Sequence, residues 1–169
     1  MEQPSGEVWQ PPPPMEYKLN FDAVIFLGME KSGIGATIRN EKGEVMAGMS
    51  AIEPKVDTSE EAKLLVCRRS IEFTVDAGFT RLMIEGDNTN VMKAISSDVA
   101  NYSFLGNVVD DIRHLISGLQ WATTSKIRRG GNKVAHVLIQ HARNLEYDLY
   151  WLEDSPPPAL EALYQDLVL

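Results

Sequence analysis

The apolar residues of this chain change their spacing at Pro54. Before it, Tyr17–Leu27, Gly33–Arg39 and Glu44–Ile52 are rich in β-branched and aromatic residues, and short connections separate them. Such segments are typical of strands joined by tight turns. After Pro54 the apolar residues recur at helical spacing up to Gly78, which predicts one long helix. The chain therefore begins as an antiparallel meander and continues with a helix.

Strands and helices alternate in the remainder of the chain. The predicted elements are a strand at Arg81–Glu85, helices at Asn88–Ile95 and Leu105–Ile116, a strand at Leu119–Ile127, a helix at Asn132–Asn144 and a short helix at Leu160–Leu167. A meander followed by this alternation predicts an α/β fold, with a mixed sheet that carries helices on its faces.

Proline runs mark both ends of the predicted domain. Residues 1–15 are expected to form a proline-rich N-terminal tail, 16–146 the folded domain, and 147–169 a C-terminal extension with a short helix. Packed structure is expected to start near Tyr17. The single cysteine, Cys67, favours a reducing, intracellular location, nuclear or cytoplasmic. Since no apolar run approaches the roughly 20 residues that span a bilayer, no membrane association is expected.

Charge is distributed unevenly along the chain. The net charge is −8, which argues at first against a nucleic-acid partner. However, residues 112–145 contain six Lys and Arg and no Asp or Glu, so the remainder carries −14. Within this basic stretch, a solvated face and a phosphate-contacting surface are both consistent with the sequence. Phosphate contacts are expected from Lys126, Arg128, Arg129 and Lys133.

Two aspartates are candidates for chemistry. Asp22 lies in the middle of the first strand, where a buried carboxylate is costly unless a cation or hydrogen bonds compensate it. Asp87 follows a strand and precedes a helix, so a capping role competes with a catalytic one. Two aspartates on adjacent strands would suit an oxygen-preferring divalent cation.

Several segments together resemble the plant reverse-transcriptase-like RNase H family, which occurs in retroelements and as stand-alone proteins. The resemblance runs from about Trp9 to Asp166, and its carriers are Lys18–Ala23, Gly33–Arg39, Ile84–Asn88, Gly131–His136 and Tyr150–Pro157. It implies an RNase H-like α/β fold, with a five-stranded mixed sheet of three antiparallel and then two parallel strands and helices on both faces.

The resemblance also implies a chemistry. Active members cut the RNA strand of RNA–DNA hybrids with two Mg or Mn ions, held by Asp, Glu, Asp and a fourth residue that is usually Asp. Asp22 and Asp87 match the first and third ligands, and His136 falls on the fourth. Lys63 falls on the second, where an ammonium about 4 Å from a divalent ion would be repelled by roughly 8 kcal/mol at an effective dielectric of 20.

Two outcomes for Lys63 follow. It can turn to solvent and let Glu60, three residues earlier, approach the site, or it can pair with Asp22 or Asp87 in place of a metal. The leading hypothesis is a stand-alone, retroelement-related domain with a degenerate metal site that binds nucleic acid, an RNA–DNA hybrid or RNA. The alternatives are an active hybrid endonuclease that uses Glu60 with Mg or Mn, and a non-catalytic scaffold that binds a protein partner.

Overall fold

The computed structural model describes residues 8–101 and 103–168. Residues 1–7 of the expected N-terminal tail lie outside the described ranges. The chain elements are β1 (Tyr17–Ile25), β2 (Lys31–Arg39), β3 (Val45–Pro54), α1 (Ser59–Asp76), β4 (Arg81–Gly86), α2 (Thr89–Ser96), α3 (Gly106–Ser117), β5 (Trp121–Lys126), α4 (Lys133–Ala142), β6 (Leu149–Leu152) and α5 (Leu160–Val168). Short 3-10 turns at Arg129–Gly131 and Pro157–Ala159 precede α4 and α5.

The strands form one mixed sheet in the order β5-β4-β1-β2-β3-β6. The meander β1-β2-β3 is antiparallel, as the sequence predicts, and β4 and β5 run parallel to β1, as the family resemblance implies. The predicted count of five strands is corrected by β6, which pairs antiparallel with Ala47–Ser50 of β3. A β-carbon on Gly48 would lie 3.7 Å from the Trp151 ring and 3.0 Å from Pro156, so the bare glycine lets these rings pack on β3.

Side chains cap the first turns of α1 and α2. Thr58 caps α1 by accepting a hydrogen bond from the Glu61 amide. The cap of α2 is Asn88, whose side chain accepts from the Val91 amide, and not its neighbour Asp87. Asp87 is therefore not used as the helix cap.

The two faces of the sheet carry separate apolar clusters. Leu19, Phe21 and Ala23 of β1 pack with α1, α2 and α3 in the larger cluster. Because side chains alternate along a strand, the intervening residues of β1 point to the other face, where α4 and α5 pack. The intervening residues are Lys18, Asn20 and Asp22, so the side chains that β1 contributes to this second face are polar although they are buried.

The ends of the described chain are attached to this polar face. Trp9 is buried, donates through Nε1 to Asn20 Oδ1 at 2.9 Å, and stacks on the Arg39 guanidinium. Packed structure therefore begins before Tyr17, because the indole fills space over two buried polar side chains. From the other end, Asp166 of α5 pairs with Arg39 at 2.7 Å. None of the helices in the described ranges is long and apolar enough to cross a bilayer.

Candidate functional site

The register of two parallel strands brings Asp22 and Asp87 together. Asn20 of β1 pairs with Glu85 of β4, and each aspartate lies two residues further along its own strand direction. Since β1 and β4 are parallel, both carboxylates reach the same end of the sheet. A β-carbon on Gly86 would approach the Phe21 ring to 2.8 Å, so the glycine lets β4 end close against β1.

The Lys63 ammonium lies between the two aspartates. Lys63 is in the second turn of α1, and its Nζ is 3.5 Å from Asp22 Oδ1 and 3.6 Å from Asp87 Oδ1. The side chain is 21% exposed, against 8% for Asp22 and 12% for Asp87. The structure thus has the geometry of the direct-pairing alternative, with one cation bridging two carboxylates that would otherwise repel each other.

Burial dominates the ionisation of Asp22. Loss of water raises the pKa of its carboxyl group, and the neighbouring Asp87 raises it further. Lys63 and a hydrogen bond from the Ala23 amide at 2.9 Å lower the pKa, but not enough to offset the burial. Lys63 therefore favours the charged form of Asp22 against the opposing effects of burial and of Asp87.

The start of α4 packs directly on the strand beside Asp22. Gly35 of β2 is the cross-strand partner of Asp22, and a β-carbon there would lie 2.1 Å from the Ala135 carbonyl oxygen. Asn132, the buried residue before α4, donates through Nδ2 to the Phe21 carbonyl at 3.1 Å. These contacts fix the loop before α4 against the strand that carries Asp22.

His136 does not join the pair of aspartates. Its Nε2 lies 3.2 Å from Arg129 Nη2, and because a guanidinium only donates, Nε2 is the acceptor. The imidazole lines a surface cavity with Lys133 and α5, and neither Asp22 nor Asp87 lines that cavity. One of the two ring nitrogens that could coordinate a metal is therefore engaged by Arg129.

Glu60 lies exposed in the first turn of α1. Among the described residues, Lys63 forms ion pairs with Asp22 and Asp87, and none with Glu60. Across residues 8–101 and 103–168, no group of three or more His, Cys, Asp and Glu side chains is arranged to hold a metal ion.

The predicted basic residues begin at the end of the strand next to β4, close to Asp87 in the sheet. Gly86 pairs with Lys126 in the parallel register of β4 and β5, and the Ile127 amide then bonds the Gly86 carbonyl at 3.0 Å. The chain after Lys126 therefore runs beside Asp87. Lys126, Arg128 and Arg129 are exposed, and Lys133 is half-buried.

A buried polar network behind the site was not predicted from the sequence. Glu85 accepts from Asn20 Nδ2 at 2.9 Å and pairs with Lys18 Nζ at 3.2 Å, and all three side chains are buried. The detectable signal is the alternation of polar residues Lys18, Asn20 and Asp22 within an otherwise apolar strand. Such a network holds β1 and β4 in the register that aligns the two aspartates.

Comparison with solved structures places this geometry in a known fold. RNase H1 of the archaeon Halobacterium salinarum superposes with a TM-score of 0.68 at 19% identity, over 75% of this chain and 96% of that one. The N-terminal RNase H domain of a Mycobacterium tuberculosis protein gives 0.65 at 18% identity, over 75% and 92%. LC11-RNase H1, in complex with an RNA/DNA hybrid, gives 0.65 at 19%, over 75% and 96%.

Sequence comparison gives the family. A comparison with curated protein sequences found no match. The family model described as reverse transcriptase-like matches residues 20–142, a range that includes Asp22, Lys63, Asp87 and His136. The chain has the RNase H-like α/β fold and belongs to the reverse transcriptase-like family.

Proposed function

We propose that this protein is an RNase H-like domain that binds nucleic acid, an RNA–DNA hybrid or RNA, without efficient hydrolysis. The observation that carries the proposal is the Lys63 ammonium between Asp22 and Asp87. Where the family resemblance calls for a bridging carboxylate, this chain supplies a positive charge. One ammonium and two carboxylates do not fit a pair of divalent cations, because Lys63 would repel both ions. No reaction step through Mg or Mn is therefore assigned to this site.

The same substitution favours binding of a phosphate backbone. Three carboxylates without metal would present −3 to an approaching polyanion, whereas Asp22, Asp87 and Lys63 present a net −1. The segment that starts beside Asp87 carries four cations between the end of β5 and the start of α4, Lys126, Arg128, Arg129 and Lys133. Lys and Arg on such a surface replace the counterions of the phosphates, which is the main source of affinity for nucleic acid.

Further support comes from relatives of the same fold. The LC11-RNase H1 structure contains an RNA/DNA hybrid. We propose the same ligand class for this chain, and an origin as a stand-alone, retroelement-related member of the plant branch of the family on the motifs described above. An intracellular, nuclear or cytoplasmic, location is proposed on the single cysteine. Burial raises the pKa of the Cys67 thiol, so it is held as an unreactive core residue.

A cleavage assay tests the catalytic half of the proposal. A labelled RNA–DNA hybrid is incubated with the full chain in Mg and then in Mn, with Asp22→Asn as the matched control. We expect the hybrid to remain intact with both proteins. Product formed by the natural chain and absent with Asp22→Asn would establish an active nuclease and overturn the proposal.

A salt titration tests the binding half. We expect the logarithm of hybrid affinity to fall linearly with the logarithm of salt concentration, and the joint variant Arg128→Ala, Arg129→Ala to reduce the slope by about 2, since each phosphate contact contributes about 0.9. Lys42→Ala with Lys55→Ala removes the same charge from exposed positions elsewhere. Hybrid binding that is absent, or equally weakened by both pairs, would favour the protein-scaffold alternative.

A further inference from the structure

A cavity of about 480 Å³ lies between the start of α4 and the C-terminal helix α5. Its volume falls within the range of small-molecule sites in proteins. One wall comes from Arg129 to Val137, and the other from Pro158 to Gln165. The second wall follows residue 142, where the match to the family model ends. The cavity is therefore completed by a part of the chain outside the matched family region.

The first wall is cationic. Arg129 and Lys133 line it, and Arg129 is held in place by His136 Nε2 at 3.2 Å. These residues belong to the stretch 112–145, which contains no Asp or Glu. Two cations at a concave surface suit a phosphate group, which Arg can bind through two parallel hydrogen bonds.

The second wall offers a different chemistry. Pro158 and Ala162 make it apolar, while Glu161 and Gln165 place a carboxylate and an amide at its edge. Gln165 Nε2 donates a hydrogen bond of 3.4 Å to Glu161 Oε1, which sets the two side chains next to each other. The second Glu161 oxygen and the Gln165 carbonyl oxygen are further acceptors of this pair, and the Gln165 amide carries a second donor hydrogen. Inorganic phosphate would use none of these groups. A ligand that uses both walls carries a phosphate at one end and a partly apolar, hydrogen-bonding group at the other, and a nucleobase combines these two properties.

We propose that this cavity binds a nucleoside monophosphate unit, with the phosphate at Arg129 and Lys133 and the base against α5 beside Glu161 and Gln165. The unit is either a free mononucleotide or the terminal nucleotide of a strand. The inference goes beyond the proposed function, because nucleotide binding here needs neither Asp22 nor Asp87 and is measured separately from hybrid binding.

The test measures binding of three probes to the full chain by NMR, at up to roughly 10 mM, where ligands of millimolar affinity are detected. The probes are AMP, ribose 5-phosphate, which lacks the base, and adenosine, which lacks the phosphate. We expect AMP to shift the amides of Lys133, Val137 and Gln165 and to bind roughly tenfold more tightly than either fragment. Equal affinity for AMP and ribose 5-phosphate, or no shifts with AMP, would overturn the proposal.

Variants on α5 test the base contacts. Glu161→Ala with Gln165→Ala is expected to weaken AMP roughly tenfold, the effect of losing one pair of base-directed hydrogen bonds, and to leave ribose 5-phosphate unchanged. Asp110→Ala with Gln140→Ala is the matched control, since both are exposed helix positions that do not line the cavity. Unchanged AMP affinity in the α5 variant would also overturn the assignment.

Competition distinguishes the two sources of the nucleotide. A short RNA with a 5′-phosphorylated terminal adenosine is added to the AMP complex. Displacement of AMP at the α5 amides supports a strand terminus as the ligand, and retention of AMP supports a free mononucleotide. Hybrid affinity is measured in a different assay from nucleotide binding. A failure to detect AMP binding therefore leaves the proposed function intact, and a failure to detect hybrid binding leaves the nucleotide site intact.

Discussion

Replacing Lys63 by Met removes the ammonium between Asp22 and Asp87 while keeping most of the side-chain volume. Two ion pairs at 3.5 and 3.6 Å are lost. Each corresponds to about 5 kcal/mol of Coulomb attraction at an effective dielectric of about 20. Desolvation of the three groups offsets most of this, and removal of one partner from a fully buried pair costs about 3–5 kcal/mol. Since Lys63 is 21% exposed, we expect a loss of about 2–3 kcal/mol in the free energy of unfolding.

The loss should depend on pH in a definite direction. The pKa of Asp22 in the folded protein lies above its ordinary value of 3.8, and removal of the Lys63 cation raises it further. Between the unfolded and folded pKa values the folded state holds the extra proton, so stability falls as pH rises through this window. At lower pH Asp22 is neutral in the folded state, and its repulsion by Asp87 disappears. The deficit of Lys63→Met is therefore largest near neutral pH and shrinks towards pH 4.

Thermal unfolding at a series of pH values measures this effect. For a chain of this length, the expected loss corresponds to a decrease of about 4–12 °C in Tm at pH 7. Lys93→Met, at an exposed position on α2, is the matched control and should change Tm by about 1 °C or less. The addition of Asp87→Asn to Lys63→Met should recover much of the loss. A Tm equal to that of the natural chain, or a deficit that grows as pH falls, would refute the reasoning.

Three other substitutions test separate contacts. Lys63→Glu places a carboxylate between the two aspartates. We expect Mn at a hundredfold excess over Kd to raise the free energy of unfolding of this variant by about 2.7 kcal/mol, and its Tm with it, with no such shift in the natural chain. A variant indifferent to Mn would contradict this. Gly35→Ala should lower the free energy of unfolding in urea by about 3 kcal/mol, because its β-carbon would meet a backbone oxygen of α4 at 2.1 Å. The control Gly118→Ala should change it by no more than about 0.5 kcal/mol. Equal effects of the two substitutions would be evidence against the close approach at Gly35. Arg39→Met should lower the free energy of unfolding in the same assay by about 3–5 kcal/mol, because it leaves Asp166 buried and unpaired. Adding Asp166→Leu to this variant should restore most of the lost stability. If it does not, the broken ion pair is not the cause of the loss.

The order of strands and helices could be predicted because hydrophobic spacing records it directly. Strand β6 could not, since four residues whose side chains are partly to largely exposed carry no clear alternation, and their pairing depends on the small residues of β3. The burial of Trp9 was also missed. A proline run next to it indicates a spacer, whereas the indole packs on Asn20 and Arg39, which are distant in sequence.

The sequence predicted which residues form the candidate site better than it predicted how their side chains are arranged. The family pattern located Asp22, Asp87 and Lys63, and the bridging position of the ammonium was one of two outcomes that follow from charge alone. The orientation of His136 was not accessible from spacing, because its ring is held by Arg129 across a 3-10 turn. The choice of Asn88 over Asp87 as the helix cap likewise depends on one residue of register.

The Arg39 pair makes the two ends of the described chain part of the same folding unit. Arg39 is 1% exposed, with Trp9 stacked on it from the N-terminal side and Asp166 bonded to it from α5. A chain shortened to the boundary of the family match, at residue 142, would retain β1 to β5. It would also leave the Arg39 guanidinium buried without the counter-charge that Asp166 of α5 supplies. Expression of the chain up to residue 142 is thus expected to yield a weakened or insoluble product, because α5 supplies the charge that neutralises the buried Arg39.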